Sequence, residues 1–127
     1  MRFDEKAREN LEAAERLLPT EDGMMDALTN AAASRAYYAA YLAIADLAQR
    51  LRRNFTDRHG TYYCHDTLPD DAFAWRLIDA ERREDLRWLK ELRIKADYYD
   101  DTVTLEEASD AFELAKDLLE VTLEERG

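Results

Sequence analysis

The chain has few of the residues that form tight turns or disulfides, with 3 glycines, 2 prolines and 1 cysteine among 127 residues. A single thiol, Cys64, cannot form a disulfide within the chain, so a disulfide-stapled fold is excluded and a reducing compartment is expected. The shortage of glycine and proline, in a chain that is 37% charged and 46% hydrophobic, is typical of helical proteins. The composition therefore predicts an all-α fold.

Long apolar runs are also missing from the sequence. No stretch approaches the roughly 20 apolar residues that a membrane-spanning helix needs. The N-terminal sequence MRFDEKAREN is charged where a signal peptide would have an apolar core. We therefore expect a cytoplasmic protein with no membrane association, and a chain of this length can bury a core as one domain spanning residues 1–127.

Negative charge dominates the chain, which has 18 basic and 29 acidic residues and a net charge of -11. Broad, sequence-independent binding to nucleic acid depends on neutralising phosphates, so this balance argues against it. The cations are concentrated between Arg50 and Lys95, however, and the segment from Tyr99 onward is strongly acidic. A local basic region could therefore still bind a phosphate-containing ligand.

The sequence AAASRAYYAAYLAIADLA, residues 31–48, is the longest helix-forming stretch. Its alanines recur at three- and four-residue steps, and its tyrosines do the same on the neighbouring stripe, so the pattern predicts a central helix buried on two sides. Three strongly polar residues interrupt it: Ser34, Arg35 and Asp46. Arg35 needs a partner, because a charge next to a packed face is costly unless it is paired.

Further helices are predicted before and after this stretch. Periodicity places helices at about residues 4–18, 24–53, 70–98 and 104–126, with a long irregular segment at 54–69. The third region is either one helix or two, since its apolar stripe lapses at 79–85. The sequence Thr104-Leu-Glu-Glu107 has the capping-box pattern of a helix start. The predicted architecture is an up-and-down bundle of four or five helices.

Metal and nucleophile sites find little support in the sequence. No predicted helix contains a histidine, which excludes the usual di-iron sites of helical bundles. His59 and His65, with Cys64 and Asp66, lack the spacing of known structural zinc sites. There is neither a G-x-S-x-G elbow nor a phosphate-binding glycine loop. We therefore predict no metal and no cofactor.

Three motifs in order resemble the HEPN superfamily, particularly its small stand-alone members. These motifs are S-R-A-Y-Y-A-A-Y in the central helix, a histidine-containing loop after it, and L-R-I-K-A-D-Y-Y before the final helix. The resemblance covers roughly residues 31–121. It implies an up-and-down bundle that is usually dimeric. Many members are metal-independent ribonucleases of toxin–antitoxin or defence systems, and others bind nucleotides or partner a nucleotidyltransferase.

The sequence departs from the catalytic pattern that this resemblance implies. Active members carry an R-x4-6-H motif, in which arginine stabilises phosphate charge and histidine acts as acid or base. Here Arg93 is followed by Tyr98 where the histidine would stand, and tyrosine is protonated at neutral pH. We therefore predict a binding or regulatory protein. The alternative is an endoribonuclease with a relocated site, built from Arg53, Asn54 and either His59 or His65.

Two interpretations of the A-D-Y sequence at the end of the third helical region stay open. Asp97 near a helix C-terminus opposes the helix dipole and should have a cationic partner, for which Arg35 is the candidate. The same end of the bundle could instead recognise a phosphate or nucleotide through Arg35, Arg93, Lys95 and Tyr98. The predicted partners are a second copy of the chain, a nucleotidyltransferase-type protein, and a nucleotide or RNA.

Overall fold

The computed structural model describes residues 3–18, 25–51, 55–57, 60–62, 67–98 and 103–123. Five helices and two short strands lie in these ranges, which confirms the predicted all-α class. They are α1 (Phe3–Leu17), α2 (Met25–Arg50), β1 (Phe55–Asp57), β2 (Gly60–Tyr62), α3 (Leu68–Ala74), α4 (Ala80–Tyr98) and α5 (Leu105–Leu123). None of the described helices is both long and apolar enough to cross a membrane.

Helix α2 is the centre of the bundle, as its alanine-rich sequence predicted. It packs against α1, α4 and α5. Its buried side chains are mainly alanines, and Tyr37 and Ile44 are the largest of them. Alanine has almost no side chain to separate two backbones, so neighbouring helices can approach α2 closely on more than one side. Leu28, one turn before the alanine-rich stretch, is 39% exposed.

The long helices α2, α4 and α5 run alternately up and down the bundle. At the start of α2 the Thr29 hydroxyl donates to the Val103 carbonyl, just before α5, and at its end Arg50 donates to the Thr122 carbonyl near the end of α5. Helices α2 and α5 are therefore parallel. Helix α4 is antiparallel to both, because Ser34 near the start of α2 meets Asp97 near the end of α4. The predicted up-and-down bundle is confirmed.

The segment predicted to be irregular contains a small β-hairpin. Strands β1 and β2 are antiparallel, with Phe55 opposite Tyr62 and Asp57 opposite Gly60. The strands consist of aromatic residues, threonine, aspartate and glycine, and a run of three residues is too short to show the alternation that identifies a strand. The sequence prediction was wrong here for that reason.

The third helical region is two helices, and the break lies just before the polar patch where a bend was expected. Helix α3 ends in a Schellman motif, in which the Leu77 N–H donates to the Ala72 carbonyl and the Arg76 N–H donates to the Phe73 carbonyl. Arg76 has a φ of 63°, the left-handed conformation for which glycine is the usual residue. Because arginine occupies that position, no residue typical of a helix end marks the break.

Candidate functional site

Arg93 lies in a cluster formed by the last turns of α4 and the first half of α2. Its guanidinium carbon is 5.3 Å from the ring centroid of Tyr37 and 5.7 Å from that of Tyr38. Its Nη1 is 3.7 Å from the Asp97 Oδ2, and only 13% of its side chain is exposed. The cation therefore packs on two aromatic rings with a carboxylate beside it, in a largely buried place.

Asp97 completes this cluster through a different partner from the one predicted. Its Oδ1 accepts a hydrogen bond of 2.7 Å from the Ser34 hydroxyl. We refer to Ser34, Tyr37, Tyr38, Arg93 and Asp97 as the Arg93 cluster. The cluster joins α2 to α4 by a hydrogen bond and cation–π contacts, which are worth about 0.5–2 kcal/mol each.

The predicted pair of Arg35 and Asp97 is not formed. The cation beside Asp97 is Arg93, so the prediction named the wrong basic residue. Arg35 is exposed, and its Nη1 donates to the Asn10 Oδ1 of α1 at 3.3 Å. Consecutive residues of a helix point about 100° apart. Ser34 therefore meets α4 while Arg35 meets α1, and the pattern of the sequence had placed the contact one residue too late.

Lys95 lies on another face of α4, since two residues correspond to about 200° around the helix. Its Nζ is 3.2 Å from the Glu107 Oε1 at the start of α5. Glu107 also forms the predicted capping box with Thr104, because each backbone N–H donates to the other side chain at 3.0 Å. The backbone hydrogen bond from Thr104 and the contact with Lys95 lower the pKa of the Glu107 carboxyl.

A second polar joint, which was not predicted from the sequence, fixes the segment before α5. The Val103 N–H donates to the Asn30 Oδ1 at 2.9 Å, and the Val103 carbonyl accepts from the buried Thr29 hydroxyl at 2.7 Å. The adjacent Thr-Asn pair at the start of an otherwise apolar helix was the available signal. Together with Lys95 and Glu107, this joint determines how α5 meets the ends of α2 and α4.

The residues of the alternative ribonuclease site fall outside the described part of the chain. This applies to Arg53, Asn54, His59 and His65, and also to the side chain of Tyr98. Their roles stay predictions. Within the described ranges, no group of three or more metal-binding side chains comes together.

The charges of the described candidate residues differ in what surrounds them. The carboxylate of Asp97 lies near Arg93, and that of Glu107 lies near Lys95. Arg35 is exposed and its described partner is the neutral amide of Asn10. Arg35 can therefore bind a phosphate without losing an ion pair. Arg93 and Lys95 would each have to give up the contact with a carboxylate.

Comparison with known protein families gives one match over nearly the whole chain. The family model described as HEPN domain matches residues 2–126. Neither the curated proteins nor the solved structures provide a significant match.

Proposed function

Because the chain belongs to the HEPN domain family, we propose that it is a binding or regulatory component of a toxin–antitoxin or defence-type system, without ribonuclease activity. The observation that carries this proposal is the environment of Arg93. The residue at the arginine position of the R-x4-6-H motif packs on Tyr37 and Tyr38 beside Asp97, and Tyr98 follows it where histidine would be needed.

The chemistry of RNA cleavage explains why this environment matters. The reaction needs a cation that faces the phosphate and a group that exchanges a proton near neutral pH. Only 13% of the Arg93 side chain is exposed, and Asp97 offsets its charge. A tyrosine hydroxyl has an ordinary pKa near 10 and is a poor base at neutral pH. These features support a structural role for Arg93 in joining α4 to α2.

The partners we propose follow from the charges and from the family. A protein of the nucleotidyltransferase type is preferred over a long RNA, because the net charge is -11. A second copy of the chain forms a homodimer in this proposal. A nucleotide binds near Arg35, whose exposed guanidinium is the first contact for a phosphate. Arg93, Lys95 and Tyr98 complete that ligand set only if their present contacts rearrange.

The absence of ribonuclease activity can be tested directly. We expect purified wild-type protein to leave a labelled single-stranded RNA intact at a rate equal to the buffer blank, as judged by denaturing gel electrophoresis. The Arg93→Ala, His59→Ala and His65→Ala variants, prepared in parallel, should give the same result. Cleavage by the wild type that Arg93→Ala abolishes would contradict the proposal. Loss of cleavage in a histidine variant alone would instead establish the relocated site.

Nucleotide binding is a separate prediction. A ligand that binds only the folded protein raises Tm, and at 100 times its Kd it adds about 2.7 kcal/mol to the free energy of unfolding. We expect ATP to raise the Tm of the wild type and of Arg8→Gln, an exposed arginine on α1 that serves as the control. Arg35→Gln should lose most of that rise. Equal responses of the two variants would remove Arg35 from the proposed site.

A further inference from the structure

Helices α4 and α5 enclose an open groove that lies apart from the Arg93 cluster. Its volume is about 550 Å³, and its lining includes Trp88 of α4 and Leu114 of α5. Both side chains are partly exposed although they pack against the core. The lining residues extend over about two helical turns of each helix, or roughly 10 Å. The groove therefore offers an apolar floor long enough for a few side chains of another molecule.

The walls of this groove are acidic on both sides. The carboxylates belong to Glu81, Asp85, Asp110, Glu113 and Asp117. Asp117 is paired with Arg82, whose Nη2 lies 3.2 Å from its Oδ2. Among the described residues, the other four carboxylates have no ion-pair partner. The groove thus combines apolar surface with negative charge that only Arg82, among the described side chains, offsets by an ion pair.

Asp85 shows the consequence of this crowding. Burial raises the pKa of its carboxyl most, and the neighbouring charges of Glu81, Asp117 and Asp79 raise it further, while Arg82 acts in the opposite direction. A cation placed in the groove would relieve this repulsion. Such a cation is missing from the described side chains that line the groove, and a basic segment of another molecule can supply it.

We propose that this groove docks a basic segment of a protein partner, one that combines lysine or arginine with apolar side chains. Two features of the groove select this occupant. The unpaired carboxylates attract cations and repel nucleic acid, and the apolar floor of Trp88 and Leu114 has no use in binding a bare ion. This inference is independent of the nucleotide contact proposed at Arg35, which lies on the side of α2 that faces α1.

Trp88 provides the first measurement. The chain has two tryptophans, so a Trp75→Phe variant leaves Trp88 as the single indole reporter. The probe is a synthetic peptide about 12 residues long, with lysine and leucine at helical spacing over roughly three turns. We expect saturable changes in Trp88 fluorescence. A peptide with glutamate in place of lysine should cause none. A Trp88 spectrum that stays unchanged up to the highest concentration of the lysine peptide would overturn the proposal.

Two triple variants separate the groove from the overall negative charge. The first neutralises the groove with Glu81→Gln, Asp85→Asn and Glu113→Gln, and the control removes the same charge elsewhere with Glu15→Gln, Glu91→Gln and Glu120→Gln. The groove variant loses three carboxylates that attract the bound cations, so it should raise Kd about tenfold, which corresponds to about 1.4 kcal/mol. The control should raise it less than about threefold, and equal losses would overturn the proposal.

The same samples distinguish a partner protein from a second copy. Sedimentation velocity without the peptide should show that neutralising the groove leaves the oligomeric state unchanged. If the groove variant loses a self-association that the control variant keeps, the occupant is a second copy and the inference of a basic partner segment is overturned.

Discussion

Replacing Arg50 with alanine is expected to lower the free energy of unfolding by about 2–3 kcal/mol. Arg50 makes two contacts at the end of α2. Its Nε lies 2.9 Å from the Oδ2 of Asp46, and its Nη2 donates to the Thr122 carbonyl at 2.8 Å. Only 8% of the Asp46 side chain is exposed, so water cannot replace the ion pair that its carboxylate loses. The Thr122 carbonyl near the end of α5 also loses the hydrogen bond from Arg50. Urea unfolding at neutral pH measures the loss.

Two companion variants test the mechanism of that loss. Lysine at position 50 keeps the charge but cannot bridge both acceptors, because it lacks the planar guanidinium, so Arg50→Lys should recover only part of the stability. Asp46→Asn combined with Arg50→Met should cost less than Arg50→Ala alone, since the buried carboxylate that loses the Arg50 cation is then itself neutral. A cost below about 0.5 kcal/mol for Arg50→Ala would mean that the pair behaves as an exposed ion pair.

The helices themselves could be predicted because their signals are local. The predicted first helix at 4–18 corresponds to Phe3–Leu17 of α1, and the alanine-rich stretch lies within α2. The start of α5 was predicted most closely, because the capping box of Thr104 and Glu107 is encoded within four residues and is formed. In each case the determining contacts lie within one or two helical turns of the sequence.

Two features were not predicted: the end of α3 and the two short strands. At both, the hydrophobic periodicity of the sequence carries no signal of the backbone conformation. Helix α3 ends with Arg76 in the left-handed conformation, and an arginine there carries no stop signal. The two short strands are too brief to show a period. Neither feature has a local sequence pattern that identifies it.

In the candidate site, too, one part could be predicted from the sequence and another could not. The sequence correctly indicated that the beginning of α2 meets the end of α4, and it named Asp97 as a residue of that joint. It could not specify the partner, because Ser34 and Arg35 differ by about 100° around the helix, and that rotation is set by the packing of α2 against α1 and α4. The rings of Tyr37 and Tyr38 looked like core residues and also proved to be the surface on which Arg93 packs.

Leucine at position 40 is expected to destabilise the protein by about 3 kcal/mol, at the upper end of the usual range for overpacked cores. Ala40 is 0% exposed in the middle of α2, where small side chains let the neighbouring helices approach. Three additional carbon atoms have no space there, so the helices must move apart or the leucine must adopt a strained rotamer. Thermal unfolding should show a Tm about 10 °C lower.

The control for this experiment is Gln49→Leu, on an exposed position of the same helix. It adds a similar apolar side chain without crowding the core, so its effect should stay within about 0.5 kcal/mol.

The Ala40→Leu substitution should also affect the Arg93 cluster, because Tyr37 lies one turn before Ala40. If Ala40→Leu moves α4 away from α2, tyrosine near-ultraviolet circular dichroism should change before unfolding begins. An unchanged Tm would mean that this part of α2 has free space, and that close approach of the helices does not depend on alanine at position 40.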